Sequence, residues 1–153
     1  MNRVAVNAEE IPLPHWSGAM AEYALKVLDE INRDKWELSF LLCGDKTITS
    51  LNSRYRGKAE ATDILSFSLG EKVRDDNEEY YLPGDIVISL DTLRENAKYY
   101  QENEDEELRR LIIHGILHLD GMDHETTDSN EPMLALQEDI LNRLKEEIIF
   151  TEN

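Results

Sequence analysis

The stretch HGILHLDGMDH, residues 114–124, contains three of the four histidines in a chain of 153 residues. In a helix, His114 and His118 are separated by one turn plus about 40° and project from the same face, with their Cβ atoms roughly 6 Å apart. Gly121 falls where such a helix should end, because glycine readily takes the left-handed conformation that reverses the chain. The stretch therefore predicts a helix followed by a tight turn that returns His124 towards the other two imidazoles.

Three neutral imidazoles that leave a fourth position open are the arrangement expected of catalytic zinc, whereas structural zinc sites usually fill all four positions with protein ligands, often cysteines. Cys43 is the only cysteine, and its apolar run WELSFLLC indicates a buried, unreactive strand position. Any metal must therefore be held by nitrogen or oxygen. A histidine pair that is only hydrogen-bonded on a half-buried face is the alternative, but the third histidine favours one bound zinc ion.

Two aspartates, Asp120 and Asp123, lie beside these histidines and allow two interpretations. A carboxylate here is able to ligate the metal or to hold an imidazole by a hydrogen bond. Aspartates in such turns also commonly cap backbone amides. The residues alone leave this choice open.

The charge of the chain is strongly acidic, with a formal net charge of −17. Such a surface repels nucleic acid at long range. The runs DDNEE (75–79) and ENEDEE (102–107) are predicted to be solvent-exposed, whereas SRYRGK gathers Arg54, Arg56 and Lys58 in one short segment. These basic residues either form a local patch for phosphates or complement the dipole at the C-terminal end of a helix.

The hydrophobic pattern predicts α+β structure in one domain over residues 1–153, since strands and helices do not alternate regularly. Asp45 is predicted to cap the second helix, Gly57 to end it, Asn130 to cap the last helix, and Pro83-Gly84 to form a turn. Strands are predicted over residues 2–7, 36–43, 63–68 and 85–90. Helices are predicted over residues 17–33, 45–57, 91–119 with a break near Asn103, and 131–148.

Metalloproteases offer one comparison for the histidine spacing. Metzincin-type enzymes place histidines and a glycine at the same offsets, HExxHxxGxxH, with a glutamate after the first histidine as the general base. Here that position is Gly115, so a peptidase would lack its usual proton acceptor. The sequence therefore disfavours a metalloprotease.

A second comparison is closer. HGILHLDGMDH resembles the HGxLHLxGxDH signature of the YbeY-type endoribonuclease family, bacterial rRNA maturation factors. LNSRYRGKAEATDILSFS (51–68) resembles the family's LNxxYRGKxxxTDVLSFP segment, and GDIVIS (84–89) resembles its GDIxIS strand. The departures are small, with Ile64 in place of valine and Ser68 in place of proline. The three motifs occur in the family's order and span about half of the chain.

The resemblance implies a zincin-like α+β fold with a small, mostly mixed sheet and several helices. It implies zinc ligation by His114, His118 and His124, and a functional role for Arg56. It also implies that the protein is a zinc-dependent endoribonuclease, specific for single-stranded RNA, acting with the ribosome in small-subunit rRNA maturation and ribosome quality control.

The chemistry of phosphodiester cleavage suggests further roles. Charge that develops on the phosphate requires a permanent cation, and the planar donors of Arg56 make it the candidate catalytic residue. Arg54 and Lys58 are candidates for substrate binding at neighbouring phosphates. No residue is distinguished as the general base, so attack by water and attack by a 2′-hydroxyl both stay open.

A non-catalytic, zinc-stabilised ribosome assembly factor is the alternative from another functional class. Its support is the acidic surface, which suits basic ribosomal proteins or an assembly GTPase better than naked RNA. The N-terminus lacks the pattern of a secretory signal, and no apolar run is long enough to cross a bilayer. A cytoplasmic protein without a membrane partner is therefore expected.

Overall fold

The structure is a computed structural model and describes residues 1–150. Four strands and five helices occur within these residues. The strands are β1 (Arg3–Ala8), β2 (Glu37–Cys43), β3 (Ile64–Asp75) and β4 (Glu78–Ser89). The helices are α1 (Ser17–Glu30), α2 (Asp45–Arg56), α3 (Leu90–Tyr99), α4 (Glu104–Leu119) and α5 (Pro132–Arg143). None of the helices in the described part of the chain combines the length and the apolar character needed to span a membrane.

The strands form one mixed sheet in the order β1-β2-β4-β3. β2 pairs in parallel with both β1 and β4, whereas β3 is antiparallel to β4 and lies at the edge. A small mixed sheet packed with helices confirms the predicted α+β class.

The sheet is apolar on both faces, and the main core lies on one of them. Leu38, Phe40 and Leu42 of β2 point to this face, as the alternation in WELSFLLC predicts. Helices α1, α4 and α5 contribute buried residues to the same core. On the opposite face, α2 places Ile48 in a smaller apolar cluster with Val87. Cys43 belongs to that cluster and is fully buried.

Burial has a chemical consequence for Cys43, because it raises the pKa of the thiol to about 12, with help from carboxylates of which Glu10 is the foremost. The thiolate form is therefore absent at neutral pH. The predicted buried, unreactive strand position is confirmed.

Helix α4 lies close against the sheet at Gly115. A Cβ at this position would lie 2.9 Å from Cδ1 of Ile86 and 3.1 Å from Cδ1 of Ile64. Because even an alanine methyl would be crowded there, glycine lets the helix rest on β3 and β4. His114, the preceding residue, is thereby held beside edge strand β3.

The prediction of a turn at Pro83-Gly84 is wrong. Both residues lie inside β4, and the turn between β3 and β4 is formed by Asp76 and Asn77, whose φ angles are 49° and 66°. Gly84 has a φ of 149°, and a Cβ there would collide with the carbonyl oxygen of Phe67. The turn-forming residue types therefore mark an irregular part of a long hairpin, where the register of β3 shifts.

The predicted cap of α2 is also wrong, although its predicted end is confirmed. Gly44 is the N-cap, and the Asp45 carboxylate instead accepts hydrogen bonds from the hydroxyls of Ser89 (2.7 Å) and Thr92 (2.5 Å). Gly57 follows the helix with a φ of 69°, as expected of a left-handed C-terminal glycine. Asp45 therefore ties α2 to the start of α3.

The first and last helices are shorter than predicted. α1 ends at Glu30 and α5 ends at Arg143, so the apolar residues beyond them pack from irregular segments. α5 begins at Pro132 after the N-cap Glu131, which corrects the prediction that Asn130 is the cap. The predicted break between the two middle helices is confirmed, since Asn103 caps α4 by accepting a hydrogen bond from the amide of Glu106.

The two acidic runs differ in their surroundings. DDNEE forms the exposed tip of the hairpin, as predicted. In ENEDEE, however, Asp105 is buried and accepts hydrogen bonds from Nε of Arg109 (2.7 Å) and from the amides of Ile149 (3.0 Å) and Phe150 (2.6 Å). The prediction of a solvent-exposed run is therefore wrong at Asp105, which anchors the C-terminal segment to α4.

Candidate metal centre

The turn after α4 has the hydrogen bonds of a Schellman motif. The amide of Gly121 donates to the carbonyl of His118 (3.0 Å), and the amide of Met122 donates to the carbonyl of Leu117 (3.0 Å). Gly121 has a φ of 94°, a left-handed conformation suited to glycine. The chain therefore reverses directly after the helix, as predicted, and His124 returns towards α4.

The three histidine rings meet at this turn. Their centroids are 4.6 Å apart for His114 and His118, 5.5 Å for His114 and His124, and 5.8 Å for His118 and His124. One nitrogen from each ring lies within 4.8 Å of the others, and all three residues are half-buried. Among the histidine, cysteine and acidic side chains of residues 1–150, these three histidines form the group whose spacing fits a metal ion.

Each ring is held through its Nδ1 atom by an oxygen. Because an amide or carbonyl oxygen only accepts, each Nδ1 carries the proton and each Nε2 presents a lone pair. The pairs are His114 Nδ1 with Gln137 Oε1 (2.6 Å), His118 Nδ1 with the Met122 carbonyl (3.1 Å), and His124 Nδ1 with the Thr126 carbonyl (2.7 Å).

This donor set fits a metal ion. The Nε2 atoms of His114 and His118 are 3.0 Å apart, and with both Nδ1 protons committed to oxygens, neither Nε2 has a hydrogen to share. Two lone pairs at that distance repel each other unless a cation lies between or beside them. Burial lowers the pKa of His114, and the neighbouring rings lower it further against the opposing hydrogen bond to Gln137. The neutral, metal-binding form of the ring is thereby favoured.

The two aspartates beside the histidines have other partners. Asp123 accepts a hydrogen bond from the amide of His124 (2.8 Å). Asp120 forms a two-pronged ion pair with Arg33, at 2.7 Å and 2.9 Å. Of the two interpretations of these residues, capping of a backbone amide describes Asp123, and Asp120 fixes the end of α4 to the residues that follow α1.

A cleft of about 540 Å³ opens beside the rings of His114 and His118. Strand β3 forms one wall with Ser66 and Ser68, and the turn after α4 forms another. Arg56, the last residue of α2, reaches the cleft and donates from Nη2 to the carbonyl of Ser66 (3.2 Å). The structure therefore brings Arg56, His114 and His118 to one cavity, and His124 lies beside these two histidines.

Arg54 and Lys58 are not part of this cavity. Positions 54 and 56 of a helix point about 200° apart, and Arg54 lines a separate cavity of about 400 Å³ together with Glu9 and Glu10. Lys58 is exposed beyond Gly57 and does not line the histidine cleft. Of the three basic residues in SRYRGK, only Arg56 is brought to the histidines.

Gln137 is a residue that the sequence analysis missed. It lies on α5 among the buried positions Met133, Ile140 and Leu141, and it is itself 6% exposed. A signal existed in the sequence, because an amide on the apolar stripe of an amphipathic helix must find a buried partner. The partner is the Nδ1 of His114.

The family model described as Endoribonuclease YbeY matches residues 4–145. The chain belongs to the YbeY endoribonuclease family. A Treponema pallidum relative with the name Endoribonuclease YbeY is 43% identical over 142 residues, which cover 92% of this chain and 89% of the relative. A Persephonella marina relative of the same name is 37% identical over 146 residues, which cover 95% of this chain and 94% of the relative. YbeY membership thus extends well beyond the three motifs.

A solved structure has a similar fold. The chain matches a Thermotoga maritima protein, determined in solution, with a TM-score of 0.63 and 26% identity, over 96% of this chain and 91% of that one. The predicted YbeY resemblance and the α+β fold are confirmed, and the class of enzyme is a hydrolytic endoribonuclease. Membership of this family also excludes the metalloprotease interpretation.

Proposed function

We propose that this YbeY-family chain is a zinc-dependent endoribonuclease that cleaves single-stranded RNA in small-subunit rRNA maturation and ribosome quality control. It acts in the cytoplasm with the ribosome, as a single domain over residues 1–153. The observation that carries the proposal is the convergence of three histidine rings at the cleft that Arg56, His114 and His118 line together.

The proposed ligands are His114, His118 and His124, through their Nε2 atoms. A bound zinc ion supplies a Lewis acid and a place where water ionises near neutral pH. The Nδ1 hydrogen bonds restrain the rotation of the three rings and so limit the rearrangement that binding the ion would require.

Arg56 is proposed to hold the reacting phosphate. Its hydrogen bond to the Ser66 carbonyl uses one N–H and fixes the guanidinium over the edge of β3. The remaining N–H groups are available to a phosphate, for which the planar guanidinium is well suited. The hydroxyls of Ser66 and Ser68 line the same wall and offer hydrogen bonds to the sugar or to a phosphate oxygen.

Arg54 and Lys58 are proposed to contact phosphates away from the reacting one. Both side chains are exposed at the end of α2 and lie outside the cleft. A basic contact at that distance adds salt-dependent affinity without affecting the chemical step. Their replacement should therefore raise the KM for RNA more than it lowers kcat.

The ligand set and the activity are tested together with a purified protein and a labelled single-stranded RNA oligonucleotide. EDTA should abolish cleavage, and zinc should restore it. His118→Ala should lose stoichiometric zinc and cleavage, whereas His15→Ala, which replaces the histidine outside the cluster, should keep both. Full zinc content in His118→Ala would contradict the proposed ligands.

Arg56→Glu tests the role of the guanidinium. Zinc content should be unchanged, because the ring nitrogens are untouched, and turnover should fall by about 100-fold or more, as expected when a phosphate-stabilising donor is lost. Arg54→Glu is the matched control on the same helix. Equal losses in the two variants would remove Arg56 from the chemical step.

Product analysis decides which nucleophile attacks. A 5′-phosphate end on the downstream fragment indicates attack by water, and a 2′,3′-cyclic phosphate on the upstream fragment indicates attack by the 2′-hydroxyl. Each product excludes the other route.

A non-catalytic ribosome assembly factor is the alternative that membership of an endoribonuclease family argues against, and the net charge of −17 is the observation in its support. Such a protein would bind basic ribosomal proteins or an assembly GTPase, using zinc only for stability. Absence of RNA cleavage by the zinc-loaded protein, together with retained binding to ribosomal subunits, would favour this candidate over the nuclease.

A further inference from the structure

A chain of side-chain contacts leads from His114 across α5 to the middle of α4. Gln137 accepts the Nδ1 proton of His114 at 2.6 Å and donates from its own amide to Oε2 of Glu138 at 3.1 Å. Glu138 is in turn held by Arg110, whose Nε and Nη2 lie 3.0 Å and 3.2 Å from its two carboxylate oxygens. Arg110 lies one turn before His114 on the same helix, so the contacts close a loop.

The loop determines which end of the Gln137 amide faces the histidine. A glutamine side chain has a donor end and an acceptor end, whereas an ionised carboxylate only accepts. Burial raises the pKa of Glu138, but the hydrogen bonds from Arg110 and Gln137 outweigh it and hold that pKa below its usual range. Glu138 therefore stays ionised at neutral pH and takes the amide NH2, which leaves the oxygen for His114.

His114 differs from the other two histidines in this respect. The Nδ1 atoms of His118 and His124 face backbone carbonyls, which cannot act as donors under any condition. Only the ring of His114 depends on a side chain, and that side chain comes from another helix.

The alternative tautomer of His114 would close the metal centre. Neutral imidazole in water favours the proton on Nε2, and in His114 that proton would point at Nε2 of His118, 3.0 Å away. The two rings would then hydrogen-bond to each other, and two of the three lone pairs would be unavailable. Something must hold the proton on Nδ1 for the site to stay open.

We propose that Gln137, oriented by the Glu138–Arg110 ion pair, is a positioning residue that holds His114 as its Nδ1–H tautomer and keeps its Nε2 free for the metal. This inference rests on the proposed function only in so far as the three histidines bind a metal ion. It assigns to α5 a role in the metal site.

The tautomer is measured directly by long-range 15N–1H correlation spectra of the metal-free, full-length protein. In the wild type, the His114 nitrogens should show the proton on Nδ1. Gln137→Met, which has similar length but no strong acceptor, should move the proton to Nε2. Gln137→Glu restores an acceptor and should retain the Nδ1–H form. The exposed Gln101→Met is the control for replacing a glutamine and should leave the His114 signals unchanged.

Zinc affinity gives a second readout, by competition with a chromogenic chelator. Gln137→Met should bind zinc about 10- to 100-fold more weakly, the range typical for loss of a partner behind a histidine ligand. Gln137→Glu should recover most of that loss, which a purely structural role for the amide would not predict. Gln137→Met with wild-type zinc affinity and the Nδ1–H form would overturn the proposal.

The wild-type spectrum keeps the proposal open to refutation even if Gln137→Met does not fold, because a wild-type proton on Nε2 of His114 would overturn it without any variant. Neither readout uses RNA. Failure of the zinc-loaded protein to cleave RNA would therefore count against the proposed function, while the spectra would still decide the role of Gln137.

Discussion

Gly115→Ala tests the close approach of α4 to the sheet. The added methyl would lie 2.9 Å and 3.1 Å from two carbons of Ile86 and 3.1 Å from Cδ1 of Ile64. Carbon atoms in contact prefer about 3.5 to 4.0 Å, so three contacts are too short by several tenths of an ångström. Ile86 is fully buried and has little room to move.

The expected magnitude is the difference between two effects. Crowding a packed core in this way costs about 1 to 3 kcal/mol. Alanine in a helix gains about 1 kcal/mol over glycine. Gly115→Ala should therefore lower the free energy of unfolding by roughly 1 kcal/mol, between about 0 and 2 kcal/mol. It should also weaken zinc binding, since His114 moves with the helix.

The matched control is Gly18→Ala on α1, where a Cβ would meet nothing within 4 Å. This variant should be unchanged or more stable by up to about 1 kcal/mol. Both are compared with the wild type by urea unfolding of the metal-free proteins, with the m-value checked for constancy. Equal stabilisation of the two variants would refute the close approach.

The same contact accounts for the absence of the protease glutamate. A glutamate at position 115 would place a carboxylate against Ile86 and Ile64 without a partner, at a cost above that of alanine. Gly115→Glu is therefore expected to fail to fold rather than to gain peptidase activity.

Three further predictions concern charge and metal. Zinc should stay bound at pH 6.5, because burial lowers the pKa of His114, and it should be released as the pH falls further and protons compete with the metal for the ring nitrogens. Zinc that stays bound well below about pH 5 would argue against nitrogen ligands. Burial and a hydrogen bond with Glu102 raise the pKa of Glu107 to about 7, against the attraction of Arg110. The folded protein therefore holds this proton more tightly than the unfolded chain does, and the free energy of unfolding falls as the pH rises from the ordinary carboxyl range to 7. Relative to Glu107→Gln, the wild type should lose up to about 3 kcal/mol between pH 4.5 and 8 in urea unfolding, and parallel curves would contradict the raised pKa. Asp105→Ala should cost about 3 to 5 kcal/mol by leaving buried Arg109 unpaired, and a loss below about 1 kcal/mol would show that the pair is dispensable.

The hydrophobic periodicity and the positions of the glycines correctly predicted those parts of the fold that depend on residues close together in the sequence. The alternation in WELSFLLC, the helix break near Asn103 and the left-handed Gly57 and Gly121 all depend on residues within a few positions of one another. The helical spacing of His114 and His118 belongs to the same class. The meeting of the three rings could therefore be expected from the sequence.

The errors have tertiary causes. Pro83-Gly84 resembles a turn, but pairing with β3 carries the strand through it. Aspartate is a common helix cap, yet the carboxylate of Asp45 accepts hydrogen bonds from hydroxyls at the start of α3 instead. Gln137 acquires its role only when α5 packs on α4. Arg54 and Arg56 are near in sequence, and only the direction of each on α2 separates them in space.

The oxygens behind the three rings have one more property, which is that all are formally neutral: two backbone carbonyls and one amide. Carboxylates in those places would offset part of the charge of a dication, whereas these partners leave it almost undiminished. In a molecule with a net charge of −17, the loaded centre and Arg56 would place positive charge on both sides of a cleft in which Asp123 is the acidic lining residue. A phosphodiester repelled by most of the surface would thus meet attraction at the proposed site of cleavage.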